Sequence, residues 1–385
     1  MNNKDLLLSL VRYAINGEEI NVDTVKEAFS GEKAATLLKI AKKHDIAHLV
    51  SYALNGNGII PSSEDIANSL LREEENAHYR YEMIKADTKE ICKCFDKENI
   101  DYILLKGAKI RSYYDQPWMR TSCDMDILVR ENDLTRAVEA LVKECKFTSE
   151  DMVKYHDISL YSPFGMHLEL HHNIKENIKL FDKILTQVWE FSEKQEESNE
   201  YKMKNEFFLF HHIAHMAYHF VGGGCGLRFV LDLYLLQKKT EFDKKALNEL
   251  LKIAGLNVFY DTVCELTEYW FGKAESVSEL VYETEKHILL GGIYGTKKQG
   301  VAAKRIKNGG KLRYFMSRLF LPYESLAILY PVIRKHKILT PFCHLARLFG
   351  GVFKRKKISR EIKAVMGIRE EESESLANLL SSLGL

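Results

Sequence analysis

The segment CDMDILV places two aspartates, Asp124 and Asp126, in an apolar run that is typical of a buried β-strand. Side chains alternate between the two faces of a strand, so both carboxylates lie on one face, and Met125, Ile127 and Val129 lie on the other. A strand that is buried on both faces cannot carry two uncompensated charges. The chain must therefore pack one face of this strand into a core and leave the other face either to solvent or to a site that balances the charge.

The residues around this strand alternate between strand and helix patterns. Short strands are predicted at DYILL, MDILV, DISLYS and MHLELHH, and the last two are joined by PFG, which is a hairpin signal. Helices are predicted at AKIRSYY and, with a clear apolar stripe, at ENDLTRAVEALVKEC. We therefore expect a small mixed α/β unit over residues 98–178.

The rest of the chain is predicted to be helical. Residues 1–97 contain three segments with apolar residues at three- and four-residue spacing, including AATLLKIAKKHDIAHLVSYAL. Apolar, histidine-rich helices continue over residues 179–300, and a basic helical region follows over residues 301–385. The expected fold class is α+β, with a small mixed-sheet core flanked by N-terminal and C-terminal helical regions.

A third carboxylate joins the two aspartates if the strands MDILV and MHLELHH are neighbours. Alternation puts His167, Glu169 and His171 on one face of the second strand. Three facing acids repel one another unless cations lie between them, and their hard oxygen ligands suit Mg²⁺ or Mn²⁺. A pair of such ions is a common device for displacement at phosphorus. The alternative is a solvent-exposed acidic face on an edge strand.

The segment LLKGAKI places Lys106, Gly107 and Ala108 at the predicted junction of a strand and a helix. Backbone N–H groups at a helix N-terminus bind anions, and a glycine lets a phosphate approach the backbone closely. The lysine can neutralise phosphate charge. By itself a Lys-Gly pair is also a common turn, but it is followed here by Arg-x-x-x-Asp-x-Asp and by a strand that carries a glutamate.

Together these motifs resemble the uncharacterised nucleotidyltransferase family of the DNA-polymerase-β-like nucleotidyltransferase superfamily. The similar pattern is L-K-G, Y-x-x-P, R-x-x-x-D-x-D-h-L-V and h-E-h-H, within residues 90–240. It falls here on Lys106, Gly107, Tyr114, Pro117, Arg120, Asp124, Asp126, Glu169 and His171. Two later helices carry the family's H-x-x-x-H and L-R-x-x-x-D patterns, at His215, His219, Arg228 and Asp232.

The resemblance implies transfer of an NMP from an NTP to a hydroxyl or phosphate acceptor, with release of pyrophosphate. It implies that Mg²⁺ or Mn²⁺ is bound by the catalytic residues Asp124, Asp126 and Glu169, and Glu169 is also a candidate general base. It implies nucleotide contacts at Lys106, Gly107, Ala108, Arg120, His171, Arg228 and Asp232. Residues 179–300 would complete the cleft. Superfamily members usually have Gly-Ser or Gly-Gly at the Gly107-Ala108 position, so only backbone groups are offered here.

Two downstream features have more than one interpretation. His211, His215 and His219 recur every four residues, as in a zinc site, but an H-E-x-x-H motif and nearby carboxylates are missing. These histidines can instead line the cleft or form hydrogen bonds in the core. Arg228 and Asp232 are one helical turn apart, so they either form an ion pair or contact the nucleotide or its acceptor.

Charge and cysteine content bear on partners and location. The net charge is +1, yet residues 301–364 carry sixteen Lys or Arg against two acids. This predicts contact with RNA, another polyanion or an anionic membrane surface, or else a solvated basic helical face.

The seven cysteines are scattered without a C-x-x-C pair. We identify no signal peptide and no apolar stretch that could span a bilayer, so a cytoplasmic protein is expected.

These motifs do not specify the acceptor, which can be a small-molecule hydroxyl, a protein side chain or an RNA end. Two other functions are compatible with the sequence. One is a toxin or defence-type nucleotidyltransferase that acts on tRNA or protein. The other is a non-catalytic nucleotide- or RNA-binding module, against which the intact Asp124, Asp126 and Glu169 argue.

Overall fold

The computed structural model describes residues 2–149, 157–292, 295, 299–300, 323, 326–327, 330–350 and 370–385. In this part of the chain, one mixed sheet of five strands has the order β1-β2-β5-β4-β3. The strands are β1 (Tyr102–Leu104), β2 (Asp124–Val129), β3 (Thr148–Ser149), β4 (Asp157–Tyr161) and β5 (His167–His171). The expected α+β class, with helices around a small mixed sheet, is confirmed.

The sheet combines one parallel pair with antiparallel neighbours. Strand β2 runs parallel to β5, while β1 pairs with β2, β4 with β5 and β3 with β4 in antiparallel fashion. The predicted hairpin between β4 and β5 is confirmed, and its turn closes through a hydrogen bond from the Ser162 N–H to the Met166 carbonyl at 2.9 Å. Gly165 has φ of 83° in this turn, a left-handed conformation that favours glycine.

The N-terminal helices are α1 (Asn3–Asn16), α2 (Val22–Ser30), α3 (Lys33–Lys43), α4 (Ala47–Gly56) and α5 (Glu64–Lys97). Helix α5 begins after Ser63, whose Oγ accepts a hydrogen bond from the Ile66 N–H. Such a cap satisfies one of the unpaired donors of the first turn. The segment AATLLKIAKKHDIAHLVSYAL forms two helices, because the backbone turns at Asp45, which has φ of 54°.

One face of the sheet is covered by α5 and by α7 (Leu134–Glu144). The side chains of Phe95, Ile127, Leu141 and Leu168 meet there, and each is at most 1% exposed. Burying an aliphatic or aromatic side chain of this size contributes about 1.5–3 kcal/mol. This core takes the apolar residues of β2, so the face with Asp124 and Asp126 is left for a cleft.

Helices follow the sheet, and the second and third of them line the opposite side of that cleft. They are α8 (Lys179–Leu185), α9 (Asn205–Gly222), α10 (Leu227–Lys239), α11 (Lys244–Ala254), α12 (Asn257–Phe271) and α13 (Glu279–Gly291). A two-stranded hairpin, β6 (Ser192–Lys194) with β7 (Tyr201–Met203), precedes α9 and was not predicted. Helix α9 is deeply packed, and its residues Phe207, Phe210 and Ile213 have no exposed surface.

Much of the basic C-terminal region lies outside the described residues. The undescribed stretches include 301–322 and 351–369, and therefore the basic run KRKK at residues 354–357. The described helices of this region are Val332–Lys335, Thr340–Gly350 and Glu370–Ser382. Contact of this region with a polyanion and the division of the chain into four regions stay predictions. None of the helices in the described part of the chain combines the length and the apolarity that a bilayer crossing requires.

The two faces of β2 can be tested by truncating its core face. Replacing Ile127 with alanine should lower the free energy of unfolding by about 2–5 kcal/mol, because it leaves a cavity between the sheet and α5. Chemical denaturation followed by circular dichroism measures this change. The control is Val142→Ala on α7, where the side chain is 42% exposed, and a change below about 0.5 kcal/mol is expected there. Equal losses in both variants would contradict the assignment of this face to the core.

Candidate active site

The parallel register of β2 and β5 brings the predicted acidic residues together. Asp126 lies opposite Glu169, and Asp124 lies opposite His167. Burial alternates along both strands, with Asp124, Asp126 and Glu169 partly exposed and the residues between them buried. The local alternation of side chains and one interstrand register therefore suffice to place all three carboxylates on the cleft face.

Two groups of side chains on this face are close enough to share a cation. One consists of Asp124, His167 and Glu169, and the other of Asp126, Glu169 and His171. Within each group, three ligand atoms lie within 4.8 Å of one another. Carboxylate oxygens with one imidazole nitrogen can bind divalent cations such as Mn²⁺ as well as Mg²⁺. Glu169 belongs to both groups and so links the two candidate cation positions.

The two aspartates differ in their electrostatic environment. Burial opposes ionisation of Asp126, but the hydrogen bond from His171 and the positive charge of Lys106 outweigh it and lower the pKa of Asp126 to about 2. The His171 Nε2 and Asp126 Oδ1 atoms are 3.0 Å apart. Burial and the neighbouring Asp126 carboxylate raise the pKa of Asp124. A cation between the acids would relieve this repulsion.

The predicted glycine turn connects β1 to the short helix α6 (Lys106–Ile110). The Gly107 carbonyl accepts a hydrogen bond from Arg111 Nε at 2.8 Å, and Arg111 Nη2 donates to Ser122 Oγ at 2.7 Å. A Cβ atom on Gly107 would lie 3.2 Å from Arg120 Nη1, so the glycine permits close packing of that guanidinium. The Ala108 N–H donates to the Leu105 carbonyl at 3.1 Å.

Arg120, a predicted phosphate ligand, forms a buried ion pair with Asp232 of α10. Its Nη2 atom is 3.1 Å from Asp232 Oδ2, and the Tyr114 hydroxyl donates to Asp232 Oδ1 at 2.7 Å. Asp232 is only 1% exposed. The structure thus gives Asp232 two protein partners and almost no surface for a nucleotide, while Arg120 lies behind the glycine turn with its charge balanced.

An ion pair between Arg228 and Asp232 was one alternative. In the structure each of the two residues pairs instead with a residue of another element. Arg228 forms an ion pair with Asp45, which lies between α3 and α4, and also donates to the Thr121 carbonyl at 3.1 Å. The Thr121 hydroxyl donates to Asp45 at 2.5 Å. These contacts attach the N-terminal helices to the edge of the cleft.

Histidines of α9 form the wall that faces the acidic strands. Lys106 Nζ lies 3.1 Å from both ring nitrogens of His215, and His215 Nδ1 lies 2.6 Å from Glu176 Oε1. His219 Nε2 is 3.1 Å from His215 Nε2. Burial lowers the pKa of His215 well below its ordinary value and that of His219 to about 4, so both are neutral near pH 7.

The zinc interpretation of the histidine stripe finds no support in the described part of the chain. Among the described residues, the two groups of side chains that are near enough to share a cation both lie on the sheet and both contain Glu169. His211 is fully buried, and its two ring nitrogens have no hydrogen-bond partner among the described residues. His215 contacts Lys106 and His219 instead, and both histidines line the cavity, in keeping with the cleft-lining interpretation.

The acidic strands, the glycine turn and the histidine wall enclose one cavity of about 280 Å³. Its size is near the lower end of typical small-molecule sites. The predicted residues that line it are Lys106, Gly107, Arg120, Asp124, Asp126, Glu169, His215, His219 and Arg228. The walls differ in character, because the sheet supplies carboxylates and the helices supply lysine, arginine and neutral imidazoles. This arrangement suits a polyphosphate held together with its cations.

A family model described as an uncharacterised nucleotidyltransferase matches residues 30–272. The chain belongs to this nucleotidyltransferase family. The match includes the sheet, the glycine turn and the histidine wall, and therefore every residue placed in the cleft above. No curated protein and no solved structure matches the chain. Membership of this family makes the protein a transferase of the nucleotidyltransferase kind.

Several residues that shape this nucleotidyltransferase site were missed in the sequence. Glu176 supports His215, Arg111 and Ser122 support the glycine turn, and Asp45 pairs with Arg228. None of these belongs to a periodic pattern or to a motif of chemical spacing. The partners of Glu176 and Asp45 lie on distant parts of the chain, 39 and 183 residues away, whereas Arg111 contacts Gly107 and Ser122 across a loop of irregular structure. Only the packing of the helices makes these contacts visible.

The buried pair of Arg120 and Asp232 allows a test of the role of Asp232. Replacing Asp232 with asparagine should lower the free energy of unfolding by about 3–5 kcal/mol, since it leaves the Arg120 charge buried without its partner. Denaturant titration measures the loss. The control is Glu90→Gln, which removes an exposed pair with Lys93 and should cost less than about 1 kcal/mol. Unchanged stability with weakened nucleotide binding would instead identify Asp232 as a nucleotide ligand.

Proposed function

We propose that this nucleotidyltransferase transfers an NMP from an NTP to a hydroxyl or phosphate acceptor and releases pyrophosphate. The observation that carries the proposal is the pair of cation-binding groups that share Glu169 and open on the cavity lined by Lys106 and Gly107. Cations between carboxylates, with a lysine opposite them, are the arrangement that phosphoryl-type transfer requires.

In this proposal Asp124, Asp126 and Glu169 hold Mg²⁺ or Mn²⁺, and His167 and His171 complete the two groups. When bound, these cations supply charge stabilisation for the reacting phosphates. The chain's own contribution is to keep Asp126 ionised, which the hydrogen bond from His171 supports. The sheet register then sets the spacing of the ligands, because each acid projects from a fixed position on β2 or β5.

Of the basic residues that line the cavity in the described part of the chain, Lys106 is the one without a carboxylate ion pair, and we assign it to the triphosphate. Arg120 and Arg228 are each neutralised by a carboxylate, whereas Lys106 contacts the neutral ring of His215. A phosphate can draw Lys106 away from an imidazole at much smaller cost than it can separate a buried ion pair. Gly107 provides close backbone approach, but the Ala108 N–H is already bonded to the Leu105 carbonyl. The proposal therefore assigns triphosphate recognition chiefly to Lys106.

The proposed location and acceptor class rest on composition. All seven cysteines lie among the described residues and are free thiols, which suits the reducing cytoplasm. A polyanionic acceptor such as RNA is favoured by the sixteen basic residues between positions 301 and 364. The acceptor assay below separates RNA from protein and metabolite acceptors.

The metal-binding carboxylates can be tested with labelled nucleotides. The protein is incubated with each α-³²P-NTP, Mg²⁺ or Mn²⁺, and cell extract that has been divided into RNA, protein and metabolite fractions. Label in one fraction is expected with the native chain, and Asp124→Asn and Asp126→Asn should reduce it at least about a hundredfold, since each removes a cation ligand worth several kcal/mol.

The matched control is Asp115→Asn, which changes an exposed aspartate whose side chain is 64% accessible and pairs with Lys239. Its labelling should equal that of the native chain. Unchanged labelling by Asp124→Asn would contradict the proposed chemistry. Folded native protein that binds no Mn²⁺ and labels no fraction would favour the non-catalytic binding module.

A further inference from the structure

A chain of three hydrogen-bonded side chains leads from the protein interior to the cavity. Glu176 follows β5 and is 9% exposed, and its Oε1 atom lies 2.6 Å from His215 Nδ1. His215 Nε2 in turn lies 3.1 Å from His219 Nε2. His219 lines the cavity opposite the acidic strands. The three groups therefore connect a buried carboxylate to the site in which the acceptor must bind.

The chemistry of the three groups fixes the positions of their protons. An ionised carboxylate only accepts hydrogen bonds, so His215 must donate its Nδ1–H to Glu176. A neutral imidazole with a proton on Nδ1 has its lone pair on Nε2. His219 then donates its Nε2–H to that lone pair. The Nδ1 atom of His219 is therefore the basic nitrogen at the cavity end of the three hydrogen-bonded side chains.

Lys106 competes with His219 for the same lone pair. Its Nζ atom lies 3.1 Å from His215 Nε2 as well as from Nδ1, so it is a second donor beside the Nε2 lone pair, which accepts only one strong hydrogen bond. A triphosphate that binds Lys106 would remove this competitor, and the His219 bond to His215 would then be the one that forms. The bound triphosphate would also neutralise the positive charge of Lys106, which lowers the pKa of both His215 and His219.

We propose that His219 is the general base that takes the proton of the acceptor hydroxyl, and that His215 and Glu176 relay this proton inward. This inference rests on the proposed function. The acceptor oxygen forms a bond to the α-phosphorus, and the bond from that phosphorus to the bridging oxygen breaks, with its electron pair leaving on pyrophosphate. The proton enters His219 Nδ1 while the Nε2–H passes to His215 and the Nδ1–H of His215 passes to Glu176.

The surroundings of the relay suit this task. The ring centroid of Phe229 of α10 lies 5.7 Å from that of His215 and 5.4 Å from that of His219, so an apolar ring packs beside both imidazoles. Burial raises the pKa of Glu176 to about 6, so the carboxylate is ionised at pH 7 but can accept a proton. The charged or titratable groups that face the relay from other elements are Lys106, Arg228, Asp182, Asp126, His171, His211 and His212.

The proton positions can be tested without any transfer reaction. The full chain is labelled with ¹⁵N-histidine, and His215 and His219 are assigned from the variants His215→Asn and His219→Asn. We expect His215 to carry its proton on Nδ1. Addition of Mg²⁺ with inorganic tripolyphosphate should raise the pKa of His215 by about 1–3 units, because it neutralises a charge in contact with the ring.

The variant Lys106→Met should give the same rise in the absence of tripolyphosphate, so the result does not depend on ligand binding. A proton on His215 Nε2, or no shift in either condition, would overturn the relay. Success or failure of this titration is independent of whether NMP transfer is observed. The relay and the proposed function can therefore fail separately.

Kinetics on the labelled acceptor fraction then test the role of each residue. His219→Asn should lower kcat by about 10²–10⁴-fold, as expected for loss of a general base, with the affinity for Mg²⁺-tripolyphosphate unchanged. Glu176→Gln should lower kcat and remove the acidic limb of the pH profile, and Glu176→Asp should restore part of it. Native kcat in His219→Asn would refute the proposal.

Discussion

The parallel pairing of β2 with β5 is the constraint on which the site depends. Because Asp126 lies opposite Glu169, the acids of two strands that are far apart in sequence share one patch of sheet. A shift of one residue would turn one strand's acids into the core, where their charge could not be balanced. The apolar residues between them, packed on α5 and α7, prevent that shift. The core and the cleft are thus two sides of one register.

The three basic residues on the helical side of the cleft differ in their partners, since two form ion pairs with carboxylates and the third contacts an imidazole. Arg120 is bound to Asp232, and Arg228 is bound to Asp45, so each guanidinium holds helices together around the glycine turn. Lys106 contacts an imidazole and keeps a charge that a ligand can use. Buried pairs of the first kind give a defined geometry at little net gain in stability. The position of Lys106 next to His215 then couples phosphate recognition to the histidine wall, and so to the proposed proton relay.

Local patterns in the sequence predicted most of the fold and half of the site. Two-residue alternation identified the acidic strands, and three- to four-residue spacing identified the helices around them. The split between α3 and α4 and the β6–β7 hairpin escaped these patterns, because each depends on a few residues at a turn or on strands of three residues. The three carboxylates were predictable because alternation within a strand is a local property of the backbone.

By itself the sequence determined most of the secondary structure, the shared face of Asp124 and Asp126, and the glycine between β1 and α6. Tertiary structure alone decided which partners the charged side chains around the cleft have. It bonded Arg120 to Asp232 over 112 residues, and it placed Glu176 behind His215 over 39 residues. Such contacts depend on how helices pack against the sheet, and no periodicity along the chain encodes them. The spacing of the α9 histidines left a zinc site as one interpretation, and their packing instead places His215 and His219 in the wall of the cleft.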